Sequence, residues 1–488
     1  MAAVENICLV FGSRVPAEIR PRILYALRVF AAIYGYGVGE PEAGNGGASR
    51  FIHYGEASPT EAGAGSLHVP WRYDPGRRAT NSARLIRHRY GGEEIPLFHG
   101  LDPTEGKPDW LGEIFEWLSA SQEREITERD SVGRIPYSKS IFSREKLSPR
   151  KPYASFLMAW MQHALQGRAA AELLPRARSP IQGVEHAVIC SHDIDFYDVS
   201  ARSTFFRVIK NLGIATLVSR SWPFFSANTE LLLRLLTGKK VGNYLPEMAR
   251  VTAQRKIHST MFVIARRGHR RDANYELTQI SSSLADAQKW GHSVELHGSY
   301  TSIIECGSLT PESAAVQAVT GRKPRGNRQH WLRFDKHEKL YGALAEAEMV
   351  FDSSLGFSET VGFRNGASFA FPPYDFGSER PHNFLEIPLV LMDVSLEAAA
   401  KSLGRAPGAL AEEVLQESRR LGWGGVSILW HNPMEPLHVP KHINEVFWNC
   451  ALQPGVDGEK WMSAEEFIRQ SLFRYHDAGL LEGVRADA

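Results

Sequence analysis

The stretch His186-Ala187-Val188-Ile189-Cys190-Ser191-His192-Asp193-Ile194-Asp195 decides how this chain folds. An apolar run ends abruptly in acid, with Asp193 and Asp195 two positions apart. A buried strand that surfaces at its C-terminal end has this pattern, and parallel α/β architectures carry their functional groups there. Side chains at i and i+2 of a strand share one face, so both carboxylates are expected in one cleft. Two carboxylates that close repel, and one of them needs a cation, an arginine or a proton beside it. An acidic loop capping the next helix would look the same in isolation.

Downstream, the pattern repeats. Strand-like segments are expected at 257–265, 293–297, 349–352, 384–392 and 426–430. Helices are expected between them at 203–217, 228–237, 275–290, 336–348 and 409–421. A last helix opens with a capping box formed by Ser463 and Glu466. Alternation over about 280 residues favours a (β/α) barrel or a doubly wound sheet. Upstream, a strand at 5–11 and helices at 18–34, 109–120 and 153–174 suggest a separate accessory unit. The Gly-rich loop at 44–47 lacks the spacing of a phosphate cradle. Pro175 and Pro180 mark the boundary. The expected organisation is an N-terminal α/β domain over 1–180 and a barrel over 181–488.

Bulk composition narrows the function. The chain has 488 residues with 56 Lys and Arg against 55 Asp and Glu, a net charge of +1, and no long basic run. A nucleic-acid partner is therefore not expected. The four cysteines, Cys8, Cys190, Cys306 and Cys450, are scattered, so free thiols are the default. Glu5 stands where a secretion signal would carry basic residues. No apolar run approaches the length of a membrane span, and the segment 204–219 is broken by Arg207, Lys210 and Asn211, so no span is expected. These features read as a soluble, cytoplasmic protein; its oligomeric state is open.

Four polar clusters fall just past expected strands. Asp193 and Asp195 form the first. His292 and His297 belong to the second; five positions apart, they face opposite sides of a strand, and His297 is the one expected in the cleft. The third runs from Arg325 to Phe334, and the fourth ends the strand Ile428-Leu429-Trp430 in His431. One aspartate with two imidazoles is a common ligand set for zinc or a similar divalent metal. A metal-activated water, a carboxylate base and a histidine acid are the parts that hydrolysis of an amide or ester requires. Tyr300, Trp331, Phe334, Phe357, Phe363 and Trp430 could stack on a sugar, or simply be core.

At these residues the chain resembles the polysaccharide deacetylase family, carbohydrate esterase family 4. The resemblance covers roughly 185–435. It implies a distorted (β/α) barrel and a metal-dependent hydrolase that removes acetyl groups from an acetylated sugar or polysaccharide precursor. By this likeness Asp193 is the base and Asp195 a metal ligand, although Ile194 separates two aspartates that are adjacent in the family. Gly291-His292-Ser293-Val294-Glu295-Leu296-His297 resembles the second motif. The family's second histidine would fall at Thr301, so either the metal site is incomplete or another histidine completes it; His330 is the candidate. Arg328-Gln329-His330-Trp331 resembles the third motif, whose arginine contacts the base. Asp352 matches part of the fourth. Ile428-Leu429-Trp430-His431 resembles the last, whose histidine is the general acid. Gly362-Phe363-Arg364-Asn365-Gly366 resembles a divergent branch, in which Arg364 could face the developing oxyanion. Residues 1–180 resemble the extra domain that precedes some members of this branch. The alternatives are a non-catalytic carbohydrate-binding or assembly protein on a degenerate barrel, motivated by Thr301, and a barrel hydrolase of other amides or glycosidic bonds.

Overall fold

The computed structural model describes residues 5–39, 49–55, 66–77, 85–168, 174–197, 201–217, 220, 222–237, 244–434, 440–453 and 457–484. The glycine-rich loop at 44–47 lies outside the described residues.

The N-terminal part is built on a parallel sheet of β1 (Asn6–Phe11), β2 (Gly37–Gly39), β3 (Ser49–Tyr54) and β4 (Ser66–Val69), in the order β2-β1-β3-β4. Helix α1 (Arg20–Tyr34) links the first two strands and buries Ile23, Leu27, Phe30 and Ile33, the apolar spacing seen in the sequence. A hairpin of β5 (Ile86–Tyr90) and β6 (Glu93–Leu97) follows. Next come α2 (Trp110–Leu118), the short α3 (Ile141–Arg144) and α4 (Tyr153–Leu165). Asp109 caps α2 by accepting from Gly112 N–H at 2.9 Å. Helix α4 stops at Leu165, short of the expected 174.

The second part opens with β7 (His186–Ile194), whose nine residues are all buried. Helices α5 (Ala201–Leu217), α6 (Trp222–Leu236) and α7 (Leu245–Gln254) lead to β8 (Thr260–Val263). The chain then alternates: α8 (Ser281–Lys289), β9 (Ser293–Gly298), α9 (Thr310–Thr320), β10 (Gly326–Gln329), α10 (His337–Glu346) and β11 (Phe351–Asp352). A two-stranded ribbon, β12 (Tyr374–Asp375) with β13 (Arg380–Pro381), precedes β14 (Leu385–Glu386) and β15 (Leu389–Met392). The chain ends with α11 (Asp393–Leu403), α12 (Pro407–Leu421), β16 (Trp423–Leu429), α13 (Lys441–Leu452), β17 (Glu459–Met462) and α14 (Ala464–Asp477).

The parallel sheet runs β14-β11-β10-β9-β8-β7-β16-β15, with β17 added along the first half of β7. Its two edge strands are consecutive in sequence, joined by Ile387 and Pro388 alone. The single strand expected over 384–392 is split there, because proline has no N–H to pair. Ile387 N–H still donates to Asp352 O of β11 at 2.8 Å, while Pro388 O already accepts from Ser427 N–H of β16 at 2.7 Å. One kinked segment thus ends one edge and begins the other, and the fold is a distorted (β/α) barrel.

The two parts share a core. One apolar cluster runs from Ile23, Phe30 and Trp117 through Phe351, Leu385 and Trp423 to Phe467. The segment 362–366 clasps them together: Phe363 N–H donates to Pro149 O at 2.7 Å and Ser155 N–H to Gly366 O at 3.2 Å. A Cβ at Gly362 (φ +137°) would stand 2.1 Å from Pro149 O, and one at Gly366 (φ +64°) 2.9 Å from Ala154 N, so only glycine fits at either end. At the C-terminus, Ser463 caps α14 by accepting from Glu466 N–H at 3.2 Å. The reciprocal half of the expected capping box is missing, since the Glu466 carboxylate accepts from Lys460 and Gln470.

Candidate metal centre

Parallel pairing puts the C-terminal ends of β7, β9 and β10 on one rim. Asp193 is the penultimate residue of β7 and Asp195 lies one past its end. His297 on β9 is in register with Arg328 on β10, and His330 follows β10 directly. Nδ1 of His330 lies 2.9 Å from Nε2 of His297. Each of these nitrogens is 3.4 Å from Oδ1 of Asp195. The carboxylate and imidazoles expected as ligands therefore converge, with their ligand atoms all within 4.8 Å of one another.

Hydrogen bonding on the far side of each ring sets what faces inward. His297 Nδ1 lies 2.7 Å from Arg328 O, and His330 Nε2 lies 2.8 Å from Arg271 O. A carbonyl only accepts, so both of these nitrogens carry hydrogen and donate. In neutral rings the facing nitrogens are then bare lone pairs. Asp195 Oδ1 beside them is buried and makes no hydrogen bond. A proton between the rings would serve two of the three atoms, whereas a divalent cation serves all three. The residues present fit a metal, with one oxygen and two nitrogen donors. Burial would raise the Asp195 carboxyl, but His330, His297 and His431 outweigh it and hold it well below the usual carboxylate range.

Two further groups flank this trio. Asp193 Oδ1 accepts from Arg328 at 2.9 Å, and its Oδ2 lies 3.6 Å from His297 Nε2. Arg328 is wholly buried and fills the barrel centre. It also donates to Ser191 Oγ at 2.8 Å, Ser427 Oγ at 2.8 Å, and Ser353 O and Oγ at 3.0 Å each, and lies over the Phe262 ring. On the other side, His431 Nε2 stands 3.5 Å from Asp195 Oδ2. Asp393, at the start of α11, binds His431 twice at 2.8 Å, once at Nδ1 and once at the main-chain N–H. Burial lowers the His431 imidazole, but Asp393 chiefly, then Asp195 and Asp193, push it up to about 10.

Not every expected residue arrives. Arg364 is not brought to the trio: its fork donates to Glu123 at 2.7–3.2 Å and to Gly356 O at 3.0 Å. His337 lies 2.8 Å from the same Glu123 carboxylate. The guanidinium is thus committed to a buried ion pair that fastens the N-terminal part to the barrel. Thr301 does not join the trio either; its carbonyl accepts from Glu305 and Cys306 N–H in a turn of π-helix. His292 packs behind the sheet, with Nδ1 accepting from Ser259 N–H at 2.9 Å and Nε2 donating to Ala249 O at 2.8 Å. Of the six candidate aromatics only Trp331 is exposed, at 43%, and the others are core. Trp331 sits beside His330 at φ 62°, a left-handed conformation strained for a tryptophan, with the Arg271 guanidinium 5.2 Å from its ring.

Asp393 is the group that sequence reasoning missed. It ends the apolar run Leu389–Met392 in acid, the same signal that marked Asp193.

No family model matches the chain, and no curated protein matches it. Solved structures do. A Mycobacterium smegmatis protein named provisionally as a polysaccharide deacetylase is 16% identical, with a TM-score of 0.37 over 62% of this chain and 96% of that one. A peptidoglycan deacetylase from Bacillus subtilis is 9% identical, with a TM-score of 0.29 over 60% and 95%. A family 4 carbohydrate esterase from Streptomyces lividans is 11% identical, with a TM-score of 0.26 over 55% and 91%. The chain is thus similar, at low identity, to polysaccharide and peptidoglycan deacetylases and to a family 4 carbohydrate esterase.

Proposed function

We propose that this chain is a metal-dependent hydrolase that removes acetyl groups from an acetylated sugar or polysaccharide precursor. The observation that carries this reading is the meeting of Asp195, His297 and His330 between an arginine-held Asp193 and an aspartate-held His431. Asp195 Oδ1, His297 Nε2 and His330 Nδ1 would hold a divalent metal, zinc being the first choice for such donors, which supplies Lewis acidity and acidifies bound water.

The chain's own groups supply the proton traffic. Arg328 holds Asp193 through Oδ1 and leaves Oδ2 to accept a proton from the attacking water. Water oxygen bonds to the acetyl carbonyl carbon, and the C–N or C–O bond to the sugar breaks. His431, held protonated by Asp393, gives its Nε2 proton to the departing nitrogen or oxygen, and acetate remains. Trp331, exposed beside His330, offers a stacking face for the sugar ring. A non-catalytic barrel was motivated by Thr301; against it, His330 brings a second imidazole to 2.9 Å from His297.

Acetate release from a panel of acetylated glycans and amino sugars by the zinc-loaded protein is the test. Asp193→Asn should reduce turnover by about 10²–10⁴-fold. Release of no acetate from any substrate, or unchanged turnover in Asp193→Asn, would refute the reading.

A further inference from the structure

We propose that the α5–α6 hairpin docks this protein onto an anionic lipid surface. The hairpin follows β7 in the chain, the strand whose C-terminal end carries Asp193 and Asp195. The two helices bury a shared face through Val208 and Leu231, with Leu212, Leu232 and Leu235 around them. That accounts for one apolar face of each helix. Each has a second. On α5, Phe205, Ile209 and Leu217 are exposed, Leu217 at 83%. On α6, Trp222, Leu233 and Leu236 are exposed, Trp222 at 75% and Leu236 at 69%. Helical spacing sets each trio along one stripe, turned away from the shared face. Single exposed apolar residues are ordinary on a surface, but six large ones on two adjoining helices form a patch that marks an interaction site.

Charge selects the occupant. Residues 201–240 carry seven basic residues and one acid, Glu230, whereas the whole chain carries 56 and 55. The neighbouring rim loop after β8 adds exposed Arg266, Arg267 and Arg270. Of its two acids, Asp272 is buried and taken up by the N–H groups of Gly268, His269 and Tyr300, and Glu276 is exposed at the loop's far end. A second copy of this face would set like charge against like. Large apolar side chains bordered by lysine and arginine are the features of helices that lie in the headgroup layer of anionic membranes. Among the described residues no helix is long and apolar enough to cross a membrane, so the hairpin would lie on the surface. Docking there aims the metal centre at the membrane; on the deacetylase reading, the acetylated substrate is one presented at that surface.

Vesicle flotation tests this with phosphatidylcholine alone and with phosphatidylglycerol added. The protein should float with the anionic vesicles and be released by salt. Trp222→Glu with Leu236→Glu should weaken binding at least about tenfold without changing the melting temperature. Lys210→Glu with Arg220→Glu should abolish the preference for phosphatidylglycerol. Failure to float at low salt, unaltered binding by the apolar variant, or self-association that the apolar variant abolishes would overturn the proposal. Acetate release from a soluble acetylated sugar is read on the same preparations. Release without flotation sinks the docking alone, and flotation without release sinks the deacetylase reading alone.

Discussion

Arg328→Met would take the barrel's central cation away while nearly preserving its volume. The guanidinium now satisfies Asp193, the Ser353 carbonyl and the hydroxyls of Ser191, Ser353 and Ser427 from inside a fully buried position. All three hydroxyls keep a partner in the variant, since Ser191 donates to Ile428 O at 2.7 Å, Ser353 to Ile387 O at 2.8 Å, and Ser427 Oγ stays 3.3 Å from Ser191 Oγ. The loss therefore falls on Asp193 and the Ser353 carbonyl. Stranding one member of a buried ion pair costs about 3–5 kcal/mol, and an orphaned carbonyl about 1–3 kcal/mol. Together these set the expected destabilisation at about 5 kcal/mol. Asp193 also loses the hydrogen bond that orients it as a base, so turnover falls with stability. Equilibrium urea unfolding, followed by two probes that must coincide, measures the first effect, and acetate release the second. Arg328→Lys should recover part of the stability, because it keeps the charge but lacks the planar fork. A loss below about 1 kcal/mol with turnover intact would show that Arg328 neither neutralises Asp193 nor plugs the barrel.

Other perturbations separate the roles further. His431→Gln should lower kcat by about 10²–10⁴-fold while metal content stays at the wild-type level; a matched loss of metal would place His431 among the ligands instead. Glu123→Gln should destabilise by about 3–5 kcal/mol, because Arg364 loses its buried counter-charge and His337 its carboxylate partner. The same variant should leave kcat per folded molecule unchanged, whereas a role for Arg364 on the reacting carbonyl predicts a kcat defect. Burial raises the Glu459 carboxyl, but His186 and Arg419 outweigh it and hold it at about 2. A depressed carboxyl contributes stability that is fully present above its unfolded pKa of about 4.3 and is lost as pH falls toward about 2. Glu459→Gln should thus cost about 2 kcal/mol near neutrality, with the gap to wild type closing through that acid window; a gap constant with pH would contradict the assignment.

Much of the site was legible because its signals are local. Asp193, Asp195, His297 and His431 each end an apolar run, and strand periodicity alone puts them on one rim. His330 stood out only against the threonine at 301, and its role depends on a carbonyl from Arg271, 59 positions away. The ion pair of Arg364 was illegible for the converse reason. Its partner Glu123 lies 241 positions upstream in a polar, turn-rich stretch that carries no periodic signal. Glycines at 362 and 366 carry no local signal of their role, which is close approach to the backbone of 149–154. The strand expected over 384–392 obeyed its hydrophobic pattern, and Pro388 divided it where the barrel changes edges. Asp393 was within reach of the rule applied to Asp193, since its run is just as apolar.

The most direct test of the central claim is zinc titration of chelator-stripped protein, comparing wild type with His330→Ala. Wild type should take up one tight equivalent and the variant should bind at least about 10²-fold more weakly, with Thr301→Ala indistinguishable from wild type. Wild type that takes up no metal, or His330→Ala that binds as tightly as wild type, would contradict it.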